Sequence, residues 1–141
     1  MKYLIGVDIG TQGTKAAVYD TGGRLVAEDT EASNLITPEP GTVIQEPDEI
    51  FASVLHTIRG VMDRSGISPS DVAALAFDGQ MAGVMGVGQD FEAATYYDSW
   101  LDTRCEPYID MMKRTARKKV VEQTGCPITY AHGPKILWWQ H

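Results

Sequence analysis

Cysteine is scarce in this chain: two residues among 141, Cys105 and Cys126. They lack C-x-x-C spacing and have no histidines at ligand spacing, which argues against a zinc site. Two well-separated cysteines suit a reducing compartment, with ordinary packing as the expected role of both. Long apolar runs are missing too. Nothing approaches the roughly 20 apolar residues of a membrane span, so no membrane partner is expected. The apolar run after Lys2 is short and is interrupted by Asp8, so it does not read as a secretory signal, and a cytoplasmic location is the expectation. Positive charge is in the minority: 12 Lys and Arg against 19 Asp and Glu give a net charge of −7. That argues against a non-specific nucleic-acid binder, which carries a basic surface. Small phosphorylated ligands stay compatible, because local lysines and amides bind them inside an acidic protein. Repeats, low-complexity tracts and a Pro/Gly/Ser-rich linker are likewise absent.

What is there is a globular composition, 43% hydrophobic and 22% charged, with enough chain for one domain. Tyr3 to Ile9 reads as a buried strand, Thr14 to Tyr19 as a second and Leu25 to Thr30 as a third, more polar one. Gly10 and Gly13 supply the first turn and Asp20-Thr-Gly-Gly23 the second, so these strands form an antiparallel meander. Asn34 to Glu46 reads as loop. Pro47 suits a first helical position, and Ile50, Val54, Ile58 and Val61 recur at helical spacing up to Gly66. Val72 to Phe77 follows as a strand apolar enough to lie inside a sheet. The order β-β-β-α-β gives an α/β architecture with a mixed sheet flanked by helices. Further on, Asp90-Phe91-Glu92 reads as a hairpin turn. Thr103–Thr115, Arg117–Gln123 and Lys135–His141 read as helices. The end of the chain, an apolar helix with no cap, reads as the edge of a longer protein.

The stretch with the most chemistry is Asp8-Ile9-Gly10-Thr11-Gln12-Gly13-Thr14-Lys15. A glycine-bearing turn between strands can aim backbone N–H groups at an anion. Thr11 and Thr14 add hydroxyls and Lys15 a charge. A carboxylate next to a phosphate is repulsive unless a divalent cation lies between them, which gives Asp8 the role of holding Mg²⁺, through water. The pattern is neither G-x-x-x-x-G-K-[ST] nor G-x-G-x-x-G entering a helix. On its own the octapeptide leaves two readings open, this one and a plain hairpin with a solvated aspartate.

Three further segments bear on the choice: Gly79-Gln80-Met81, then Trp100-Leu101-Asp102-Thr103-Arg104, then Gly133-Pro134-Lys135-Ile136-Leu137-Trp138. With the first motif they make the chain resemble, over all 141 residues, the N-terminal part of the FGGY carbohydrate kinases, and most nearly their xylulokinase-like branch. The family pattern is D-x-G-T-x-x-x-(K/R), G-Q-M-H-G, W-x-D-x-R and P-K-(L/I)-L-W. The first motif is shared with actin and Hsp70-type chaperones. The four in order are far more specific.

The resemblance implies a ribonuclease H-like, actin-like ATPase fold, with residues 1–141 as the N-terminal part of the first of two domains. It implies ATP and Mg²⁺ as cofactors and a sugar as substrate, and it is compatible with a homodimer of the full-length protein. Asp8 would lie near Mg²⁺ and the transferred phosphate. Thr11, Gln12, Gly13, Thr14 and Lys15 would occupy the nucleotide-phosphate turn. Gln80, Met81 and Ala82 would lie in the segment that contacts the sugar, with Trp100, Asp102 and Arg104 bordering its pocket. Ala82 departs from the xylulokinase-type histidine and removes an imidazole partner for a sugar hydroxyl, so the identity of the sugar stays open. The family's catalytic aspartate has no match in these residues, and the chain alone is expected to be inactive. A rival reading from another class is a non-catalytic nucleotide-binding or assembly module of the actin or Hsp70 type.

Simpler roles are expected elsewhere. Asp98 reads as a helix cap and dipole partner. Arg104 either binds sugar or pairs with Asp102. Met85 reads as core filler, and Trp138 and Trp139 as packing residues. Arg114, Arg117, Lys118 and Lys119 read as a solvated helix face. His56 and His132 are assigned no catalytic role.

Overall fold

The structure is a computed structural model that describes residues 2–141. The described residues form two compact units, residues 2–34 with 46–80, and residues 35–45 with 81–141.

In the first unit, β1 (Tyr3–Ile9), β2 (Gly13–Asp20) and β3 (Leu25–Ala32) form the expected meander, and β5 (Val72–Gly79) completes a four-stranded sheet in the order β3-β2-β1-β5. The β1–β2 and β2–β3 pairs are antiparallel, and β1–β5 is parallel. The parallel pair needs a long crossover, supplied by α1 (Pro47–Ser65). Pro47 stands in the first turn of α1 with Asp48 and Glu49, where acidic charge meets the positive end of the helix dipole. Gly66 ends it in the left-handed conformation, φ 63°, and its N–H closes on the Met62 carbonyl.

Period-two alternation decides which sheet face is covered. Ile5, Val7, Ala16 and Val18 point to one face and pack with Val54 and Val61 of α1. Leu4, Gly6 and Asp8 point to the other, because successive side chains alternate. Gly13 is required where β3 passes close: a Cβ there would lie 2.6 Å from the Glu31 carbonyl oxygen. α1 packs on β1, β2 and β3, so β5, expected inside a sheet, stands at its outer edge with Leu75 and Phe77 exposed.

The second unit contains β4 (Ile44–Gln45), inside a stretch read as loop, paired antiparallel with β6 (Tyr97–Asp98). Single bridges join Ile36 to Ile44, Val84 to Asp98 and Val87 to Ala93. The last bridge closes the hairpin expected around Asp90. Three helices follow: α2 (Glu106–Thr115), α3 (Arg117–Thr124) and α4 (His132–Trp139). Cys105, Ile109 and Ile128 form the core, with Met112, Val120, Tyr130 and Trp138 packed against it. Cys105 is buried as expected, whereas Cys126 is exposed. Arg114, Arg117, Lys118 and Lys119 are exposed. No helix among the described residues is long and apolar enough to cross a membrane.

Candidate functional site

In the first unit, the turn between β1 and β2 is closed by the Gly10 N–H on the Gly13 carbonyl, 3.0 Å. Its flank is fixed by the Ser33 N–H on the Gln12 carbonyl, 3.0 Å. Asp8 is cross-strand partner to Lys15 on one side and to Asp78 on the other. The three residues therefore form one row on the sheet face that α1 leaves open. Adjacent strands lie about 4.8 Å apart, so two carboxylates stand side by side at the carboxyl end of two parallel strands, with one lysine next to Asp8. That end of a parallel sheet is where ligands of open α/β folds bind.

The five turn residues are not equivalent. Gln12 and Lys15 are exposed, and Thr11 is half-buried. Thr14 is buried on the α1 face, its hydroxyl 2.7 Å from that of Ser53, so it offers the turn its backbone and not its hydroxyl. Gln80 belongs to the same turn. Its N–H donates to the Ile9 carbonyl at 2.9 Å, and the Thr11 hydroxyl donates to Gln80 Oε1 at 3.3 Å. The parallel pairing of Ile9 with Gly79 brings these two sequence-distant segments together.

The donor set fits a divalent cation with phosphate. Mg²⁺ is commonly held by one or two carboxylates, completed by waters and phosphate oxygens. Asp8 and Asp78 supply that number, and no cluster of three or more His, Cys, Asp or Glu occurs among the described residues. The neighbouring face is roomy: Gly6 has nothing within 4 Å of the place a Cβ would take.

In the second unit, Met81 is 82% exposed, and Ala82 adopts φ 65°, a conformation uncommon for a residue with a Cβ. Tyr97 packs its phenol against Gly83, leaving no room for a side chain there. Burial pushes the Tyr97 pKa up, against the opposing effect of a hydrogen bond with the Gly83 backbone.

The Trp100–Arg104 segment splits by environment. The Asp102 N–H donates to the Ser99 carbonyl at 3.0 Å and the Leu101 N–H to the Ser99 hydroxyl at 3.3 Å, making a tight turn. Trp100 is 47% exposed on that turn, whereas Asp102 is 1% exposed. Asp102 accepts the Val43 N–H at 2.9 Å, the Arg104 N–H at 3.1 Å and the Arg104 Nε at 2.9 Å. Arg104 Nη2 donates to Asp98 Oδ1 at 2.8 Å, and its guanidinium carbon lies 4.1 Å from the ring centroid of Trp138. Lys135 is buried and donates to the Asp102 carbonyl at 2.8 Å. Burial lowers the Lys135 pKa, partly offset by the Asp102 and Asp98 carboxylates.

Asp98 differs from expectation. It lies in β6 and not at a helix start, so no helix dipole is there to cap. Its carboxylate instead pairs with Arg104 and accepts the Trp139 indole N–H at 2.8 Å. Trp139 is accordingly half-exposed, while Trp138 packs on the core. Ile44, Thr95, Tyr96, Asp98, Arg104, Trp138 and Trp139 line an open cavity of about 460 Å³. Asp78 was not singled out from sequence; a parallel register between β1 and β5 was the signal that would have found it.

The sequence profile of the N-terminal domain of the FGGY family of carbohydrate kinases matches residues 3–141. The chain belongs to that family. It is 30% identical over 141 residues to a glycerol kinase of Caldanaerobacter subterraneus subsp. tengcongensis, spanning 97% of this chain and 28% of that one. The solved ligand-bound xylulose kinase of Lactobacillus acidophilus superposes with a TM-score of 0.92 at 30% identity, over 100% of this chain and 29% of the kinase. The gluconate kinase of the same organism gives 0.91 at 30% identity, over 99% and 28%. This FGGY chain thus has the actin-like ATPase fold, in its N-terminal part, and spans under a third of the length of these relatives. Relatives of equal identity carry three different substrates in their names, so the sugar is not assigned by similarity.

Proposed function

We propose that residues 1–141 are the N-terminal part of the first domain of a cytoplasmic, ATP-dependent sugar kinase. The whole protein transfers the ATP γ-phosphate to a hydroxyl of a ketopentose or related polyol, with D-xylulose first among them. The observation that carries this reading is the row Lys15–Asp8–Asp78 beside the glycine turn, which sets two carboxylates next to a lysine and a glycine-bearing turn at one sheet end.

Asp8 takes the metal-holding role, and Thr11, Gln12, Gly13, Thr14 and Lys15 form the phosphate turn. A bound Mg²⁺ supplies charge neutralisation at the phosphate oxygens. Lys15 adds to it, and the closed Gly10–Gly13 turn keeps its geometry without reorganisation, so catalysis is positioning plus electrostatics. The family motifs they belong to give Gln80, Met81, Ala82, Trp100 and Arg104 to sugar binding. Asp102 acts through Arg104, since its own oxygens are spent. The base that takes the sugar hydroxyl's proton lies outside residues 1–141, so this part alone does not turn over.

A panel of ketoses and polyols with ATP and Mg²⁺, scored by ADP release from the full-length protein, tests the reading. Turnover on at least one acceptor is expected, and Asp8→Ala should abolish it with unchanged circular dichroism. No turnover on any acceptor refutes the kinase reading, and full activity in Asp8→Ala refutes the role of Asp8.

A further inference from the structure

Arg104 is held more firmly than a surface arginine. Nε meets both oxygens of Asp102, at 2.9 and 3.1 Å, Nη2 meets Asp98 at 2.8 Å, and the guanidinium stacks on Trp138. Among the described residues Nη1 makes no hydrogen bond, and Arg104 lines the 460 Å³ cavity beside the indole of Trp139 and Tyr96. A guanidinium has five N–H donors in a fixed fork. Pinning Nε and Nη2 from opposite carboxylates therefore dictates where Nη1 points. Asp98 is itself fixed three ways. Its backbone bridges Val84, its residue pairs with Ile44, and its second oxygen is tied to Trp139. Asp102 alone would leave the guanidinium plane free to swing about the Nε contact; Asp98 removes that freedom.

We propose that Asp98 is a positioning residue for Arg104, setting Nη1 as a pre-oriented donor to an oxygen of a sugar-type ligand in the cavity beside Trp139. Aromatic faces beside a planar charged donor suit a polyhydroxylated ligand, which is apolar on its C–H face and hydrogen-bonding at its rim. Preorganisation raises affinity by cutting the ordering cost of binding. The inference rests on the sugar-binding side of the proposed function.

The test is calorimetric titration of the full-length protein with D-xylulose, glycerol and gluconate in the absence of ATP. The wild type should bind at least one, and Asp98→Asn should weaken that Kd about tenfold, with Arg104→Lys doing the same. The double variant should lose no more than either single, because both remove one device. Asp98→Glu should restore part of the affinity, and Trp139→Phe, which keeps the charge pair, covers the case in which Asp98→Asn does not fold. A wild type that binds none of the three overturns the proposal, as do an unchanged Kd in Asp98→Asn or additive losses in the double variant. The kinase reading fails by a different result, a wild type that binds sugar but releases no ADP.

Discussion

Replacing Asp102 with asparagine keeps the shape of a side chain that is 1% exposed and removes its charge. The carboxylate accepts three separate N–H groups: the Val43 amide, the Arg104 amide and Arg104 Nε. A carboxamide has one accepting oxygen, and its NH₂ would face a donor. Arg104 Nε reaches both carboxylate oxygens, so either orientation of the carboxamide keeps that contact and strands one backbone N–H, that of Val43 or that of Arg104, in a dry site at about 1–3 kcal/mol. Arg104 keeps Asp98, so the guanidinium is not left wholly unpaired, and the low end of the range applies. With the charge attraction between Asp102 and Arg104 lost as well, the total is about 2 kcal/mol, a substantial share of a domain's ~5–15 kcal/mol. Urea denaturation followed by far-UV circular dichroism measures it, and hydrogen exchange at the Val43 amide localises it. The exposed Lys118–Glu122 pair on α3 is the control, and Lys118→Ala should change stability by well under 1 kcal/mol. A loss below about 1 kcal/mol in Asp102→Asn, matching that control, would refute the argument that the carboxylate organises this segment.

Two more outcomes follow from the same structure. Thr14→Val should cost about 1 kcal/mol, because the buried hydroxyl pair with Ser53 is lost while Ser53 keeps its bond to the Ile50 carbonyl; a variant as stable as wild type in urea denaturation would contradict this. Burial raises the Cys105 pKa above the ordinary 9.0, with Lys135 opposing and Asp102 and Asp98 adding to the rise. The unfolded chain then releases that proton first, so the contribution of Cys105 to stability is whole below pH 9 and falls as pH rises through the folded value. Lys135 works in the opposite sense, so the measurement is the difference between wild type and Cys105→Ala across alkaline pH, which should narrow as pH rises.

Much of the first unit was legible because its signals are local. The Gly10–Gly13 turn, the Pro47 start and the Gly66 stop are written in neighbouring residues, and the structure places β1, β2, β3 and α1 within a residue or two of them. The helix read from Thr103 begins at Glu106, because Asp102 holds the Arg104 N–H and keeps that stretch out of helical pairing. The short β4 escaped notice since two residues carry no periodicity, and its existence depends on β6, more than fifty positions away.

The candidate site divides the same way. The sequence by itself determined that Asp8 would close a strand ahead of a glycine turn with Lys15 across from it, since a tight hairpin fixes its own register. It could not determine that Asp78 would stand beside Asp8, because a parallel pair is joined only by a long crossover, which fixes no register of its own. Nor could it determine which of Trp100, Asp102 and Arg104 turn outward. Alternate residues of an irregular segment have no face until other elements enclose them. Here Val43, Lys135 and Trp138 bury Asp102 and clamp Arg104, while Trp100 stays in water.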